Sequence, residues 1–387
     1  MTGRPDHEAA RPPDDASQQH SGAARAGPRL RMARQARGFS QQQLAGMAGV
    51  SRQAVSAVES GLSDPSLRVA LALVRALGMT VEELFGPSTP EPVVAVRPVA
   101  PLGGTGARVS LAPVGDSLVA LPLTGPTVTR SGFAPAGGRV TGADSVIPLG
   151  PPRPTLVVAG CDPALPLLEL PLSLLEPPVS FLWWPCASQE ALQMANDGLV
   201  HVAGAHLRGS AGEYNTGAVA SFLPAGAEVI GFCSWREGLV LRKGLADTIG
   251  SLADVAAAGL RLVNREPGSE ARRVLDRELA RHAIAAGDIT GYETQATGHL
   301  EVAAAIAAGL ADAGVASEPA ALAYQLAFVP LTQERFDLVV PAAHAASREV
   351  QGLLRALSSP WLHDQLASLP GYTVTQCGER LATVSPT

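Results

Sequence analysis

The chain has 387 residues, of which 46% are hydrophobic and 17% are charged, and its formal net charge at pH 7 is −6. This composition is typical of a soluble globular protein with two or three domains and excludes a chain that is disordered throughout. The four cysteines form no CxxC pair and no Cys/His cluster in the sequence, so neither a metal finger nor a disulfide framework is expected.

The sequence shows neither the pattern of a secretory signal peptide nor that of a membrane-spanning helix. The N-terminus lacks a basic start followed by an apolar run, and no segment contains about 18 uninterrupted apolar residues. We therefore expect a cytoplasmic protein with no membrane partner.

The first 28 residues are rich in Pro, Ala, Arg and Asp and show no apolar periodicity, which predicts a disordered tail over residues 1–28. An all-α helix-turn-helix head is predicted next, over residues 29–86. Two of its helices must pack against each other, and apolar or small residues stand at the contact positions Leu44, Ala45, Ala48, Val50, Val55 and Val58. Gly49 suits the tight turn between two crossed helices because glycine tolerates a positive φ.

The second helix of this pair is the predicted DNA-reading element. Ser51 is expected to cap it, and Arg52, Gln53 and Ser56 would face a major groove, where Arg reads guanine and Gln reads adenine. Gln41, the first residue of the preceding helix, would meet the DNA backbone. Seven arginines against four acidic residues make residues 29–86 locally basic, which fits a double-stranded DNA operator as a partner.

The stretch Ser40–Ser66 resembles the phage-repressor-like, xenobiotic-response-element type of regulator. The resemblance continues through AspProSer at 64–66, a helix with Leu67, Leu71, Val74 and Leu77, and ValGluGluLeuPhe at 81–85. It implies operator binding by a helix-turn-helix homodimer.

Residues 87–92, with the sequence PSTPEP, are predicted to be a linker. Short β-prone pieces punctuated by Gly and Pro follow, and they predict a small antiparallel β-rich middle unit over residues 93–154. This unit could space the two ends of the chain or help it to dimerise, and the sequence leaves both roles open.

From residue 155 to 387, β runs alternate with amphipathic helices, which predicts an α/β domain. The predicted strands include separate segments at 228–235 and 238–241, and a long helix is predicted over Glu270–Ala285. The segments that start at Ser188 and Thr297 share one plan: a capped helix, a glycine and a strand. Two similar lobes would produce this echo, with a ligand cleft where helix N-termini and strand ends face each other.

Residues 155–370 resemble the cytoplasmic relatives of periplasmic solute-binding proteins, in particular a molybdate-binding-like domain. The matching pieces are AlaGlyCysAspProAla at 159–164, GlyAlaHisLeu at 204–207, GlyGluTyrAsn at 212–215, AsnArgGluProGlySerGluAlaArg at 264–272, GlyTyrGlu at 291–293, ThrGlyHisLeu at 297–300 and the segment 328–341. The resemblance implies a two-lobed fold and molybdate or another oxyanion as effector. Glu270 and Ala271 stand where relatives often carry Gly and Thr, and an added carboxylate near an anion pocket is unfavourable.

The candidate ligand-binding residues follow from these motifs. Ser188, Ser269 and Thr297 precede helices, so each is either an anion-binding hydroxyl or an ordinary N-cap. Arg272 would pair either with an anionic ligand or with Asp276, and Asp162 before Pro163 is favoured as a structural cap. The remaining candidates match family motifs: His206, Tyr214, Asn215, Tyr292 and His299.

No catalytic spacing such as GxSxG, HExxH or a P-loop is present, so the sequence predicts neither an enzyme, a metal site nor a cofactor. The predicted function is a ligand-responsive transcriptional regulator, dimeric, with its effector in the C-terminal cleft. The alternative is a protein that binds or delivers molybdate or a molybdenum-cofactor precursor, with DNA binding that is only autoregulatory.

Overall fold

The computed structural model describes residues 23–86, 92–125, 133–209 and 212–386, with side chains from residue 27 onward. The chain divides after Glu91 into two compact units, Met1–Glu91 and Pro92–Thr387. The predicted tail up to residue 22 and the predicted linker up to residue 91 lie outside the described residues. No helix in the described ranges is both long and apolar enough to cross a membrane.

The first unit is helical. Its helices are α1 (Ala23–Ala36), α2 (Gln41–Ala48), α3 (Arg52–Glu59), α4 (Leu67–Leu77) and α5 (Val81–Phe85). The prediction of disorder through residue 28 was wrong at its end, because α1 begins at Ala23. Leu30 anchors this helix in the core, and Gly27 allows close packing, since a Cβ there would lie 2.6 Å from the Val58 carbonyl oxygen.

The turn between α2 and α3 forms as the spacing predicts. Ser40 and Gln43 make a reciprocal capping box at the start of α2, and Gly49 ends that helix with a φ of 64°. Ser51 then caps α3 by accepting a hydrogen bond from the Ala54 amide. Of the six predicted apolar positions of this pair, Leu44, Ala45, Val55 and Val58 are buried in the core of the head, and Ala48 and Val50 are partly buried and pack against it.

The β-rich segment forms a six-stranded sheet. Its strands are β1 (Val94–Ala95), β2 (Arg97–Pro98), β3 (Arg108–Val114), β4 (Ser117–Pro122), β5 (Gly138–Gly142) and β6 (Ser145–Pro148), in the order β1-β6-β5-β3-β4-β2. Ala112, Val114, Val119 and Leu121 share a hydrophobic core with residues of the larger sheet that follows. This sheet therefore packs as part of the second compact unit.

A second sheet of nine strands organises the rest of the chain, in the order β12-β11-β13-β10-β14-β9-β7-β8, with β15 paired to β10. The strands are β7 (Thr155–Ala159), β8 (Ser180–Trp184), β9 (Val202–Ala205), β10 (Ala227–Leu241), β11 (Leu262–Arg265), β12 (Gln295–Ala296), β13 (Ala313–Ser317), β14 (Ala327–Pro341) and β15 (Arg380–Val384). The helices are α6 (Glu169–Ser173), α7 (Ser188–Asn196), α8 (Thr216–Phe222), α9 (Leu252–Ala257), α10 (Glu270–Arg281), α11 (His299–Ala307), α12 (Glu318–Ala323), α13 (Arg348–Leu357) and α14 (Pro360–Ser368).

Two long antiparallel strands, β10 and β14, hold two lobes together. The start of β10 pairs with β15 and the end of β14 pairs with β9, and these strands with β7 and β8 form the first lobe. The end of β10 pairs with β13, which continues through β11 to β12 as the second lobe. The shared helix-then-strand plan recurs as α7 with β9 and α11 with β13, one pair in each lobe.

Two predicted boundaries were wrong. The predicted strands 228–235 and 238–241 are one continuous strand, β10, because Gly238 follows a bulge at Glu237 and lets the chain pass close to β14. The long helix α10 ends at Arg281, four residues before the predicted end. Its C-cap is His282, and Ala283 takes a φ of 53°, which a continuing helix does not allow.

Candidate functional sites

The exposed face of α3 carries the predicted base-reading residues. Arg52, Gln53 and Ser56 are all exposed, and Ser51 is exposed at the N-cap. An exposed polar surface on the second helix of such a pair is the arrangement that enters a major groove.

Glu59, at the other end of α3, is a buried carboxylate that ties three helices together. It accepts two hydrogen bonds from Arg34 of α1, at 2.6 and 3.1 Å, and one from Gln41 of α2, at 2.9 Å. Burial alone would raise the pKa of Glu59, but the hydrogen bonds from Arg34 and Gln41 and the positive charges of Arg34 and Arg31 outweigh it and lower the pKa. The side chain of Gln41 is thus held by Glu59 at the start of α2.

Two predicted histidines meet where the lobes join. His206 follows β9 of the first lobe, and His299 begins α11 of the second lobe; their ring centroids lie 5.6 Å apart. Trp235 of β10 packs against both rings, at 5.5 and 5.8 Å. All three side chains are buried.

The surroundings of His299 fix its protonation. Nδ1 of His299 accepts hydrogen bonds from the Arg265 guanidinium and from the Ser317 amide, both at 3.1 Å. Since Nδ1 is an acceptor, the neutral ring carries its proton on Nε2, which faces the Cys161 sulfur at 3.8 Å. Burial, followed by the charge of Arg265, lowers the pKa of His299, so the ring stays neutral.

His206 lies instead against two buried carboxylates. Its Nδ1 is 3.8 Å from a Glu237 oxygen and 4.0 Å from a Glu334 oxygen. Glu334 stands opposite Trp235 in the β10–β14 ladder, and Glu237 lies two residues beyond Trp235, so both carboxylates share one face of the sheet. Within the described ranges, neither the ring nitrogens of His206 nor the carboxylate oxygens of Glu237 and Glu334 have a hydrogen-bond partner.

Burial dominates the electrostatics of these three groups. It raises the pKa of Glu237, and it raises the pKa of Glu334, which the negative charge of Glu237 raises further. Burial, followed by the charge of Arg265, lowers the pKa of His206 to about 3. The centre of the fold thus holds a neutral imidazole beside two carboxyl groups, and burial opposes the ionisation of both.

Several other predicted residues make structural contacts. Asp162 accepts hydrogen bonds from the Ala164 amide, the Tyr372 hydroxyl and the Cys233 thiol, and burial raises its pKa to about 6. Ser269 caps α10 and also donates to the Glu266 carbonyl. Asn215 accepts from the Leu207 amide and donates to Asp337.

The interpretation of Ser188 as an N-cap was wrong. Ala187 occupies the cap position, and Ser188 is the first helical residue of α7. Its hydroxyl oxygen instead accepts a hydrogen bond from the His206 backbone amide at 3.2 Å, which fixes the chain just after β9.

The remaining predicted residues make contacts with side chains or backbone groups other than the two histidines. The Arg272 guanidinium stacks on the Tyr292 ring at 4.9 Å and donates to the Arg265 carbonyl, while the Tyr292 hydroxyl donates to Asp276. Arg272 thus takes a different partner from the Asp276 that the sequence suggested. The interpretation of Thr297 as an N-cap was also wrong, because Gly298 occupies the cap position of α11 and Thr297 is exposed before it. The Tyr214 hydroxyl donates to the Gln333 carbonyl.

A cavity of about 630 Å³ lies between the lobes. It is lined by the segment after β9 on one side, by α10 on the other and by the middle of β14, and its charged residues are Arg208, Arg273, Arg277, Arg281 and Glu278. Glu270 pairs with Arg273 and Arg277, and Glu278 pairs with Arg281. The Glu213 carboxylate also lies beside the lining residue Gly209. Four guanidinium groups thus outnumber the three carboxylates of Glu213, Glu270 and Glu278, so the cavity favours an anion.

The sequence reasoning missed Glu237, Arg265 and Glu334. The sequence did contain one signal for the two glutamates, because each lies between apolar, strand-like segments. A carboxylate that is buried at such a position must have a partner or become protonated. Glu270, suspected of opposing an anion, pairs with two arginines of its own helix.

The chain matches two known families of domain. The Helix-turn-helix family matches residues 30–84, and the PBP superfamily domain matches residues 172–358. An uncharacterised helix-turn-helix-type transcriptional regulator of Methanocaldococcus jannaschii is 37% identical over 57 residues, which cover 15% of this chain and 86% of that protein. The chain belongs to the helix-turn-helix transcriptional regulators. The predicted order of a DNA-binding head and a solute-binding-protein-like body is thereby confirmed.

Two further proteins are similar to parts of this regulator. The uncharacterised protein YvgK of Bacillus subtilis is 31% identical over 144 residues, or 37% of this chain, and the regulator spans 46% of the length of that relative. A putative phosphate ABC transporter substrate-binding protein of Clostridium perfringens, solved with bound phosphate, is 13% identical, with a TM-score of 0.43, over 57% of this chain and 99% of its own.

Proposed function

We propose that this regulator changes its affinity for operator DNA when an anionic ligand binds between the lobes of its C-terminal unit. The observation that carries the proposal is the arginine-lined cavity of about 630 Å³ at the lobe boundary. Cavities of roughly 300 to 1,000 Å³ hold small organic molecules, so an organic anion fits this volume better than a bare oxyanion such as molybdate.

The two lobes supply opposite walls of this cavity, and of the described strands only β10 and β14 run through both lobes. A ligand that contacts both walls binds one relative placement of the lobes better than others and therefore shifts their equilibrium towards it. If the regulator is a homodimer, such a shift changes the placement of two α3 helices across a two-fold axis, and DNA affinity changes by linkage in either direction.

The ligand test uses the full chain and duplexes that the protein itself selects from random-sequence DNA. Molybdate, tungstate, sulfate, phosphate and small organic anions are screened for thermal stabilisation, and each hit is added to the DNA-binding assay. A ligand at a hundred times its dissociation constant should add about 2.7 kcal/mol to the stability. Arg277→Gln should reduce the response, whereas Arg355→Gln, on α13, should not. One unchanged DNA affinity across the whole panel would refute the proposal.

We expect Arg52→Ala and Gln53→Ala each to weaken binding to the selected duplex by about 1 to 3 kcal/mol for every base that the truncated side chain had recognised. The reason is that both exposed side chains stand in the first turn of α3, whose cap and core are untouched by truncation. Arg75→Ala, in the last turn of α4, is the matched control. Unaltered binding by both α3 variants would show that another surface reads the DNA.

A further inference from the structure

The side chains of His206, Glu237 and Glu334 form a compact group of potential metal ligands, called here the His-Glu-Glu triad. Each is 0% exposed, and one ligand atom from each lies within 4.8 Å of the others. No nitrogen or oxygen atom of the three side chains has a hydrogen-bond partner in the part of the chain that the structure describes. Buried polar groups normally have such partners, so six orphaned atoms at one point call for an explanation.

The orphaned atoms have two possible explanations: protonated carboxyl groups that hydrogen-bond to the imidazole, or a cation that the three side chains share. The distances between the side chains distinguish them. If the carboxylates were simply protonated and bonded to the imidazole, the heavy atoms would lie about 2.6 to 3.0 Å apart. The observed separations from His206 Nδ1 are 3.8 and 4.0 Å. Two ligands that each bind one ion at about 2.0 to 2.2 Å lie up to roughly 4.2 Å apart. Both separations from His206 Nδ1 fall below this limit, so each of these two pairs fits a shared cation.

The charges also fit a divalent cation. Glu237 and Glu334 together carry two negative charges when ionised. The nearest buried cation, Arg265, is already neutralised by a two-point ion pair with Glu266, at 2.7 and 2.9 Å. An ion of charge +2 would therefore leave the buried cluster neutral, which removes the cost of the two opposed carboxylates.

A second set of ligand types nearby is less suitable. Cys161, His206 and His299 also bring one ligand atom each within 4.8 Å. However, the two donors to Nδ1 of His299 place its proton on Nε2, the nitrogen that faces Cys161. Binding through Nε2 would require that proton to leave, and both donors oppose the tautomer that would result.

We propose that His206, Glu237 and Glu334 bind one divalent first-row transition-metal ion, such as Zn²⁺, at the junction of the two lobes. One imidazole with two carboxylates is a ligand set of this class. Because the three residues come from the end of β9, from β10 and from β14, the ion would fasten the first lobe to both connecting strands. The triad shares no residue with the arginine-lined cavity, so the metal site does not depend on the proposed anionic effector.

The test is equilibrium dialysis of chelator-treated full-length protein against Zn²⁺, followed by metal analysis. One ion per chain is expected, whereas Mg²⁺ should not bind stoichiometrically. Glu237→Gln and Glu334→Gln keep the shape of each side chain and should each weaken Zn²⁺ binding by at least about tenfold. Glu228→Gln, on the same strand as Glu237 but partly exposed, should leave binding unchanged.

A spectroscopic measurement on the wild-type chain covers the case in which the variants do not fold. Co²⁺ in the triad should give visible ligand-field bands without a sulfur-to-metal charge-transfer band, because all three ligands offer nitrogen or oxygen. Absence of stoichiometric metal, tight binding that survives both Gln variants, or a sulfur-to-cobalt band would each overturn the proposal. None of these measurements involves DNA or an anion, so they are separate from the test of the regulatory function.

Discussion

Replacement of Glu59 with glutamine should destabilise the DNA-binding head by about 3 to 5 kcal/mol while the stability of the C-terminal unit stays unchanged. The Glu59 side chain is 1% exposed and is bound by Arg34 and Gln41, so the change breaks a buried ion pair and turns an amide group towards an arginine. Removing one partner of such a pair costs about 3 to 5 kcal/mol. A small helical head of this kind has a total stability of the same order, about 5 to 15 kcal/mol at most.

The distribution of aromatic residues makes this result easy to measure. All four tryptophans, Trp183, Trp184, Trp235 and Trp361, lie in the second unit. Tryptophan fluorescence therefore follows the body, and far-ultraviolet circular dichroism follows the helices of both units. In a urea titration of Glu59→Gln, the loss of helix should begin at a lower urea concentration than in wild type and should precede an unshifted fluorescence transition. Binding to the selected duplex should end with that first transition. The control is Glu82→Gln, an exposed carboxylate of α5.

The pH dependence of the head follows from the same contacts. Because the pKa of Glu59 is lowered in the folded state, its carboxylate stabilises the head fully above the unfolded pKa of about 4.3. The stabilisation is lost as the pH falls through the folded pKa. The difference between wild type and Glu59→Gln should therefore be largest near neutral pH and shrink under acid. A head transition of Glu59→Gln that coincides with that of wild type at pH 7 would contradict this account.

The head could be predicted closely because its signals are local. Ser40, Gly49 and Ser51 mark the start of α2, the turn and the start of α3 within twelve residues, and each does in the structure what its chemistry favours. The role of Glu59 was not predicted, since its partner Arg34 lies 25 positions away and nothing in the spacing connects them.

The centre of the body was harder to predict because it depends on strand register. His206 and His299 were found through local motifs at a strand end and a helix start. Glu237 and Glu334 become neighbours only because β10 and β14 pair over their whole length, with Trp235 opposite Glu334. The apparent break at Gly238 concealed that pairing, since a glycine in a strand also marks a bulge. Ser188 was misassigned for a related reason: its partner, the His206 amide, lies 18 positions away.

Replacement of Arg265 with methionine should destabilise the second unit more than any change in the His-Glu-Glu triad. The Arg265 side chain is 0% exposed, and it binds Glu266 through two hydrogen bonds and His299 through a third. Methionine keeps an unbranched apolar stem but lacks the guanidinium group, so the mostly buried Glu266 carboxylate loses its partner. The expected loss is about 3 to 5 kcal/mol, measured as an earlier tryptophan fluorescence transition in urea. The exposed Arg236, which pairs with Glu318, provides the control, and Arg236→Met should cost much less.

A second substitution shows whether the destabilisation comes from the stranded charge or from poorer packing. Burial raises the pKa of Glu266, but the hydrogen bonds and charge of Arg265 outweigh it and lower the pKa, so the pair stabilises the wild type above the unfolded pKa of about 4.3. In Arg265→Met, burial should raise the pKa of Glu266, because the hydrogen bonds and charge of Arg265 are gone. Glu266 should then be protonated as the pH falls, and the loss of stability relative to wild type should become smaller. Adding Glu266→Gln removes the stranded charge, so Arg265→Met/Glu266→Gln should recover much of the missing stability at pH 7. A double variant no more stable than Arg265→Met, with a deficit independent of pH, would mean that Arg265 contributes through packing and its bond to His299 and that its charge is immaterial.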